Sequence, residues 1–124
     1  MSCPVLVVED HRDSRQLMED FLGAAGIPTV AASDGLDALK RLAESTPCLI
    51  LLDLWMPQMD GWRFREEQRR LNDSALAEVP VVILTAGLDC EEEARAVGAV
   101  AFLRKPVNLD RLMEVVRKYA GTAV

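Results

Sequence analysis

A chain of 124 residues, half of them hydrophobic and 27% charged, has the size and ordinary composition of one compact domain with a core of its own. Its net charge of −6 argues against direct nucleic-acid binding, which needs a basic face, although an absent partner domain remains free to do that work. No stretch approaches the roughly 18 apolar residues of a membrane span, and Met1-Ser2-Cys3-Pro4 lacks the basic and apolar regions of a signal peptide, so a cytoplasmic location is expected, away from membranes.

The first apolar run, Val5-Leu6-Val7-Val8, ends in Glu9-Asp10 and reads as a buried parallel strand. Leu17, Phe21, Leu22 and Ala25 then recur at helical spacing, with Gly26 as the stop. Ile27 to Ala31 is a short second strand, and Asp34-Gly35 a turn signal. Leu36, Leu39 and Leu42 mark a second helix that ends before Pro47. The third strand, Cys48 to Leu52, runs directly into Asp53. A more polar third helix, with Trp62, Arg65, Glu66 and Arg69, follows Gly61. Pro80 precedes the fourth strand, Val81-Val82-Ile83-Leu84, which ends in the hydroxyl of Thr85. Asp89 and Glu92 have the spacing of a capping-box variant that opens a short fourth helix to Val97, closed by Gly98. The fifth strand, Ala101 to Leu103, leads through Arg104 to Lys105-Pro106. Asn108 caps a fifth helix with Leu109, Leu112, Met113, Val116 and Tyr119 on its inner side.

Five consecutive strand–helix units imply right-handed crossovers and an α/β fold, a doubly wound parallel sheet with helices on both faces. A single domain over residues 1–124 with the flavodoxin-like strand order 2-1-3-4-5 is expected, which sets strands one and three side by side with Asp10 and Asp53 facing each other. Ligands of such sheets bind outside the carboxyl ends of the strands, so three carboxylates, a hydroxyl and an ammonium converge on one rim. Cys3, Cys48 and Cys90 are an odd, widely spaced set without a C-x-x-C pair, which points to neither a disulfide framework nor a zinc site, and Cys48 reads as a small buried hydrophobe.

Glu9, Asp10 and Asp53 bring about three negative charges together, an arrangement that needs a cation or a retained proton. Oxygen-only ligands point to Mg²⁺, which favours one or two carboxylates, waters and phosphate oxygens, and the spacing of a calcium loop is absent. Beside such an ion a carboxylate can attack phosphorus to give an aspartyl phosphate. Lys105 supplies the opposing charge, and Thr85 can donate to a phosphoryl oxygen.

Val7-Val8-Glu9-Asp10, the run Leu52-Asp53-Leu54-Trp55-Met56-Pro57-Gln58-Met59-Asp60-Gly61, Leu84-Thr85-Ala86 and Leu103-Arg104-Lys105-Pro106 occur in order, each at the end of a strand. In these pieces, over essentially its whole length, the chain resembles the receiver domain of bacterial two-component response regulators, of the single-domain chemotaxis-regulator type. The resemblance implies Asp53 as phosphoacceptor, Glu9 and Asp10 as Mg²⁺ ligands with Glu9 acting through water, and the backbone carbonyl of Trp55 as a further ligand. It implies Thr85 as switch hydroxyl, Lys105 as phosphate partner, Phe102 as the aromatic that changes rotamer with Thr85, a turn shaped by Pro57 and Gly61, and a cis Lys105-Pro106 bond. Phe102 stands where the family often has Tyr, so any signal carried by that hydroxyl is absent.

The expected function is a phosphorylation switch that takes its phosphoryl group from a histidine kinase or phosphotransfer protein. It changes affinity for an output protein, or a missing effector domain, through the face of the fourth helix, fifth strand and fifth helix. It is not a turnover enzyme. Ala94, Val97, Arg104 and Arg111 are candidate output residues, and His11 reads as a solvent-facing loop residue. Trp55 would shield the phosphoryl group while Gly87 leaves the other flank open, with slow self-dephosphorylation as the expected balance. The alternatives are a receiver that binds partners without phosphorylation, and an aspartyl-phosphate phosphatase. The phosphatase lacks the second acid two residues after the nucleophile, where Trp55 stands. A flavin binder is disfavoured because Glu9-Asp10-His11-Arg12 is not a hydroxyl- and glycine-rich phosphate loop. Met1 close before the first strand suggests a native start, and the end after the last helix fits a stand-alone regulator or the front of a longer one.

Overall fold

Residues 3–56 and 59–120 are described by a computed structural model of the chain. Its elements, in chain order, are β1 (Val5–Val8), α1 (Arg12–Ala24), β2 (Thr29–Ala32), α2 (Gly35–Glu44), β3 (Leu49–Asp53), α3 (Gly61–Arg69), α4 (Ser74–Ala77), β4 (Val81–Thr85), α5 (Cys90–Val97), β5 (Ala101–Arg104) and α6 (Leu109–Tyr119). All five strands are parallel in the order β2-β1-β3-β4-β5, as expected. Val5 lies opposite both Thr29 and Leu49, and Val8 opposite Leu52, so the polar ends of β1 and β3 come out level.

Alternation along the strands divides the core in two. Leu6, Val8, Ile50, Leu52 and Ile83 face Ala38, Leu42, Phe64, Ala94 and Val97 on one side of the sheet. Val5, Val7, Leu51, Val82, Leu84 and Leu103 face Met18, Leu22, Leu112, Val115 and Val116 on the other. Each such side chain taken fully from water contributes about 1.5–3 kcal/mol, so β1, β3 and β4, buried along their whole length, form a rigid platform for whatever their ends carry.

Several expectations shift. β2 runs over Thr29–Ala32 rather than from Ile27. Gly26, at φ 82°, ends the turn after α1, and Ile27 packs half-buried beneath it. Of the apolar pair in the middle of α1, Met18 is buried and Leu17 is 53% exposed; Leu36 at the start of α2 is exposed as well. Four residues of α4 were not anticipated; Asp73 caps them, and fully buried Gln68 donates to the carbonyls of Leu76 and Val79. Ala94 and Val97, offered as output residues, are core, whereas Arg104 and Arg111 are exposed.

Cys3 and Cys48 are joined in a disulfide, contrary to the expectation of none, and Cys48 is half-buried rather than core. The sheet itself brings them together: the Cys48 N–H donates to the Pro4 carbonyl at 2.9 Å, and the Cα atoms stand 5.4 Å apart, inside the range a disulfide spans. Cys90 is free and buried.

Candidate functional site

Glu9 continues β1 by one residue, its N–H donating to the Ala32 carbonyl at 3.1 Å, while Arg15 of α1 reaches back to the Glu9 carbonyl at 2.9 Å. Its carboxylate is thereby turned inward and is 1% exposed. Asp10 is exposed at the rim. His11, expected as a solvent-facing loop residue, is exposed but engaged at both ends of its residue. Its Nδ1 accepts from the Ser14 N–H to cap α1, and its own N–H donates to Glu9 Oε2.

Asp53 is the last residue of β3, beside Leu84 of β4, and is also 1% exposed. Trp55 folds back so that its N–H donates to Asp53 Oδ1 at 3.2 Å. Gly61 lets the first turn of α3 cross this strand end. A Cβ there would sit 2.7 Å from the Asp53 carbonyl and from Leu54 Cα, both backbone atoms that cannot yield. Pro57, the other residue expected to shape this turn, lies outside the described residues.

Lys105 follows β5, its N–H bonded to the Thr85 carbonyl at 2.9 Å, and the bond to Pro106 is cis as expected. Its ammonium stands 2.9 Å from Glu9 Oε1 and 3.1 Å from Asp53 Oδ2. Beyond that ammonium, no donor among the described residues reaches either oxygen. Burial, then the adjacent Glu9 carboxyl as hydrogen-bond neighbour and like charge, push Asp53 up to about 7, against the pull of Lys105. Burial alone would lower the Lys105 pKa, but the two carboxylates outweigh it and hold it above the ordinary lysine value.

Carboxylate oxygens of Glu9, Asp10 and Asp53 lie within 4.8 Å of one another. Two under-satisfied buried oxygens and an exposed third acid form an all-oxygen donor set, which fits a hard divalent cation such as Mg²⁺. The site opens into a cleft of about 300 Å³, lined also by His11, Ser14, Trp55 and Ala86. The Trp55 ring, 61% exposed, stands edge-on to Trp62 with centroids 6.5 Å apart.

Thr85, at the end of β4, is fully buried. Its Oγ1 donates to Glu93 Oε1 at 2.8 Å and accepts from the Gly87 N–H at 3.0 Å. The flank expected to be open at Gly87 is instead filled by the Glu93 carboxylate. No spacing or motif in the sequence singles out Glu93. Phe102 of β5 is half-buried beside Ile83 and packs on the side of Ala94 and Val97.

The family model for the response regulator receiver domain matches residues 5–117. The chain is 39% identical over 118 residues to the sensor histidine kinase RcsC of Salmonella typhi, an alignment that takes in 94% of this chain but only 12% of that kinase. To the polar-differentiation response regulator DivK of Brucella ovis it is 32% identical over 125 residues, covering 99% of this chain and all of the other. Among solved structures, the chemotaxis protein CheY4 of Vibrio cholerae superposes with a TM-score of 0.87 at 30% identity, over 96% of this chain and 99% of that one. The receiver domain of Francisella response regulator 1452 does so at 0.86 and 28% identity, over 99% and 100%.

Proposed function

The chain belongs to the response regulator receiver domain family, and from that premise we propose that it is a phosphorylation switch whose phosphoacceptor is Asp53. The observation that carries this reading is a carboxylate buried to 1% exposure, 3.1 Å from a lysine ammonium and within 4.8 Å of two further acids. A strand-end acid placed there for structure alone would not gather two more negative charges around itself.

Glu9, Asp10 and Asp53, with the Trp55 carbonyl, would hold Mg²⁺, and the bound ion supplies neutralisation of the carboxylates and of incoming phosphoryl oxygens. An Asp53 oxygen attacks phosphorus as the P–N bond of a donor phosphohistidine breaks, and the imidazole leaves with the bonding pair. Lys105 exchanges its contact with Asp53 for one with a phosphoryl oxygen. The Thr85 hydroxyl donates to another, Phe102 follows it, and the α5–β5–α6 face alters its affinity for an output protein or effector domain. Phosphorylation acts by interacting differently with two existing arrangements of that face.

The donor is a histidine kinase or phosphotransfer protein in the cytoplasm. An adjoining groove of about 460 Å³, between α1 and the β5–α6 loop, shares Glu9, Ser14, Ala86 and Lys105 with the site, and its apolar wall includes exposed Leu17 with Pro106 and Val107. That wall gives a protein donor a surface to rest on beside Asp53.

Intact mass after incubation with Mg²⁺ and acetyl phosphate tests the reading. A gain of one phosphoryl group is expected, absent without Mg²⁺ and absent in Asp53→Asn. A wild-type chain that gains nothing from acetyl phosphate or from a phosphohistidine donor, and shows no Mg²⁺-dependent Trp55 fluorescence response to beryllofluoride, would contradict it and leave partner binding without phosphorylation.

A further inference from the structure

We propose that Glu93 is a positioning residue for Thr85, holding its hydroxyl in a resting arrangement that the phosphorylated site must break; this rests on Asp53 being the phosphoacceptor. The Thr85 hydroxyl has one proton, and it is given to Glu93 Oε1 at 2.8 Å. The hydroxyl oxygen also accepts from the Gly87 N–H, so the orientation is fixed from both sides. A threonine in this state has nothing to donate to a phosphoryl oxygen.

The neighbouring acids behave differently. Glu91 and Glu92 of the same helical turn are exposed, and Glu92 pairs with Arg95 at 2.6 Å, whereas Glu93 turns inward over the β4–α5 loop. The loop is shaped to receive it. An ideal Cβ on Gly87 would lie 2.6 Å from both Glu93 carboxylate oxygens, so the absence of a side chain there makes room for the carboxylate. From the opposite side Arg104 donates to the Gly87 carbonyl at 3.1 Å. On phosphorylation, one O–H must be shared between a carboxylate and a phosphoryl dianion, two acceptors that also repel each other. The release of Glu93 is therefore part of the switching free energy, and it pulls on the start of α5, which borders the output face.

Beryllofluoride with Mg²⁺, read by tryptophan fluorescence, measures how readily the site adopts its phosphoryl-bound arrangement. A hydrogen bond to a charged acceptor is strong enough that Glu93→Ala should bind the probe about tenfold more tightly than wild type. Glu93→Gln keeps an acceptor without the charge and should show a smaller gain. Gly87→Ala opens the same contact without altering Glu93, because the new methyl displaces the flexible carboxylate, and it should gain affinity too. In a Thr85→Ala background Glu93→Ala should change nothing, since the effect passes through the hydroxyl. Unchanged or weaker binding in both Glu93→Ala and Gly87→Ala, with wild-type circular dichroism, overturns the inference, as does an equal gain in the Thr85→Ala background. A wild-type chain that responds to neither beryllofluoride, acetyl phosphate nor a phosphohistidine donor overturns the switch itself; one that responds like its variants overturns only the role of Glu93.

Discussion

Burial raises the Asp53 pKa to about 7, with Glu9 adding to the shift and Lys105 opposing it. An acid whose pKa is higher folded than unfolded binds more protons in the native state between pH 4 and 7, so its contribution to stability falls as pH rises through that window. The shift corresponds to a loss on the order of a few kcal/mol by pH 8 in the absence of metal. Asp53→Asn removes the titration. The melting temperature of the metal-free wild type should therefore drop relative to Asp53→Asn between pH 5 and pH 8, and Mg²⁺ should restore more at pH 8 than at pH 5. Melting curves of the two chains that run parallel across this range would show that Asp53 is not strained by its surroundings. At this scale much of the site was legible in advance. Glu9, Asp10, Asp53 and Lys105 each stand at or just beyond a strand end, and a parallel sheet brings strand ends to one rim whatever the loops do. Glu93 was not legible, because its meeting with Thr85 depends on how the Ala86–Asp89 loop turns α5, and no spacing in the sequence records that turn.

Strands and helices differ in how far a sequence determines which face is buried. Runs such as Leu49-Ile50-Leu51-Leu52 are apolar on both sides, so no choice of face arises, and all four are fully buried. In α1, Leu17, Met18, Phe21 and Leu22 offer two overlapping apolar rows, and packing against β1 and β2 selects Met18 and Leu22. The short α4 contains too few residues to show a period and rests on buried Gln68 instead. The row left over in α1 would have a use in the proposed switch: Leu17, 53% exposed, lies on the groove that adjoins the Glu9–Lys105 site. Leu17→Asp should leave phosphorylation by acetyl phosphate within about twofold of wild type, since the small donor needs no docking surface, and slow transfer from a protein donor about tenfold or more, as for loss of a buried interface anchor. Equal slowing with both donors would place Leu17 in the chemistry or the fold rather than in docking.

The whole molecule is closed by a covalent link that its cysteine spacing did not announce. Cys3 and Cys48 are 45 positions apart in sequence but adjacent in space, because β1 and β3 are neighbours in the sheet. A loop of that length, when closed, stabilises by about 3–4 kcal/mol in the chain-entropy view. In a reducing, thiol-rich compartment such a bond would be held reduced, whereas air-oxidised protein keeps it. Iodoacetamide should therefore label no cysteine of the folded, oxidised chain, two after reduction, and the buried Cys90 only after unfolding. Two labels without reductant would show that the bond does not form.

Strand order also brings together groups that synthesis supplies at different times. Glu9 is synthesised before Asp53 and Asp53 before Lys105, yet the lysine ammonium is the shared counter-charge of the two buried carboxylates. An incomplete nascent chain thus carries the acids without their cation, and β4 is left as the sheet edge until β5 is added. In the proposed switch, Asp53 would gain its lysine partner only once translation has passed residue 105.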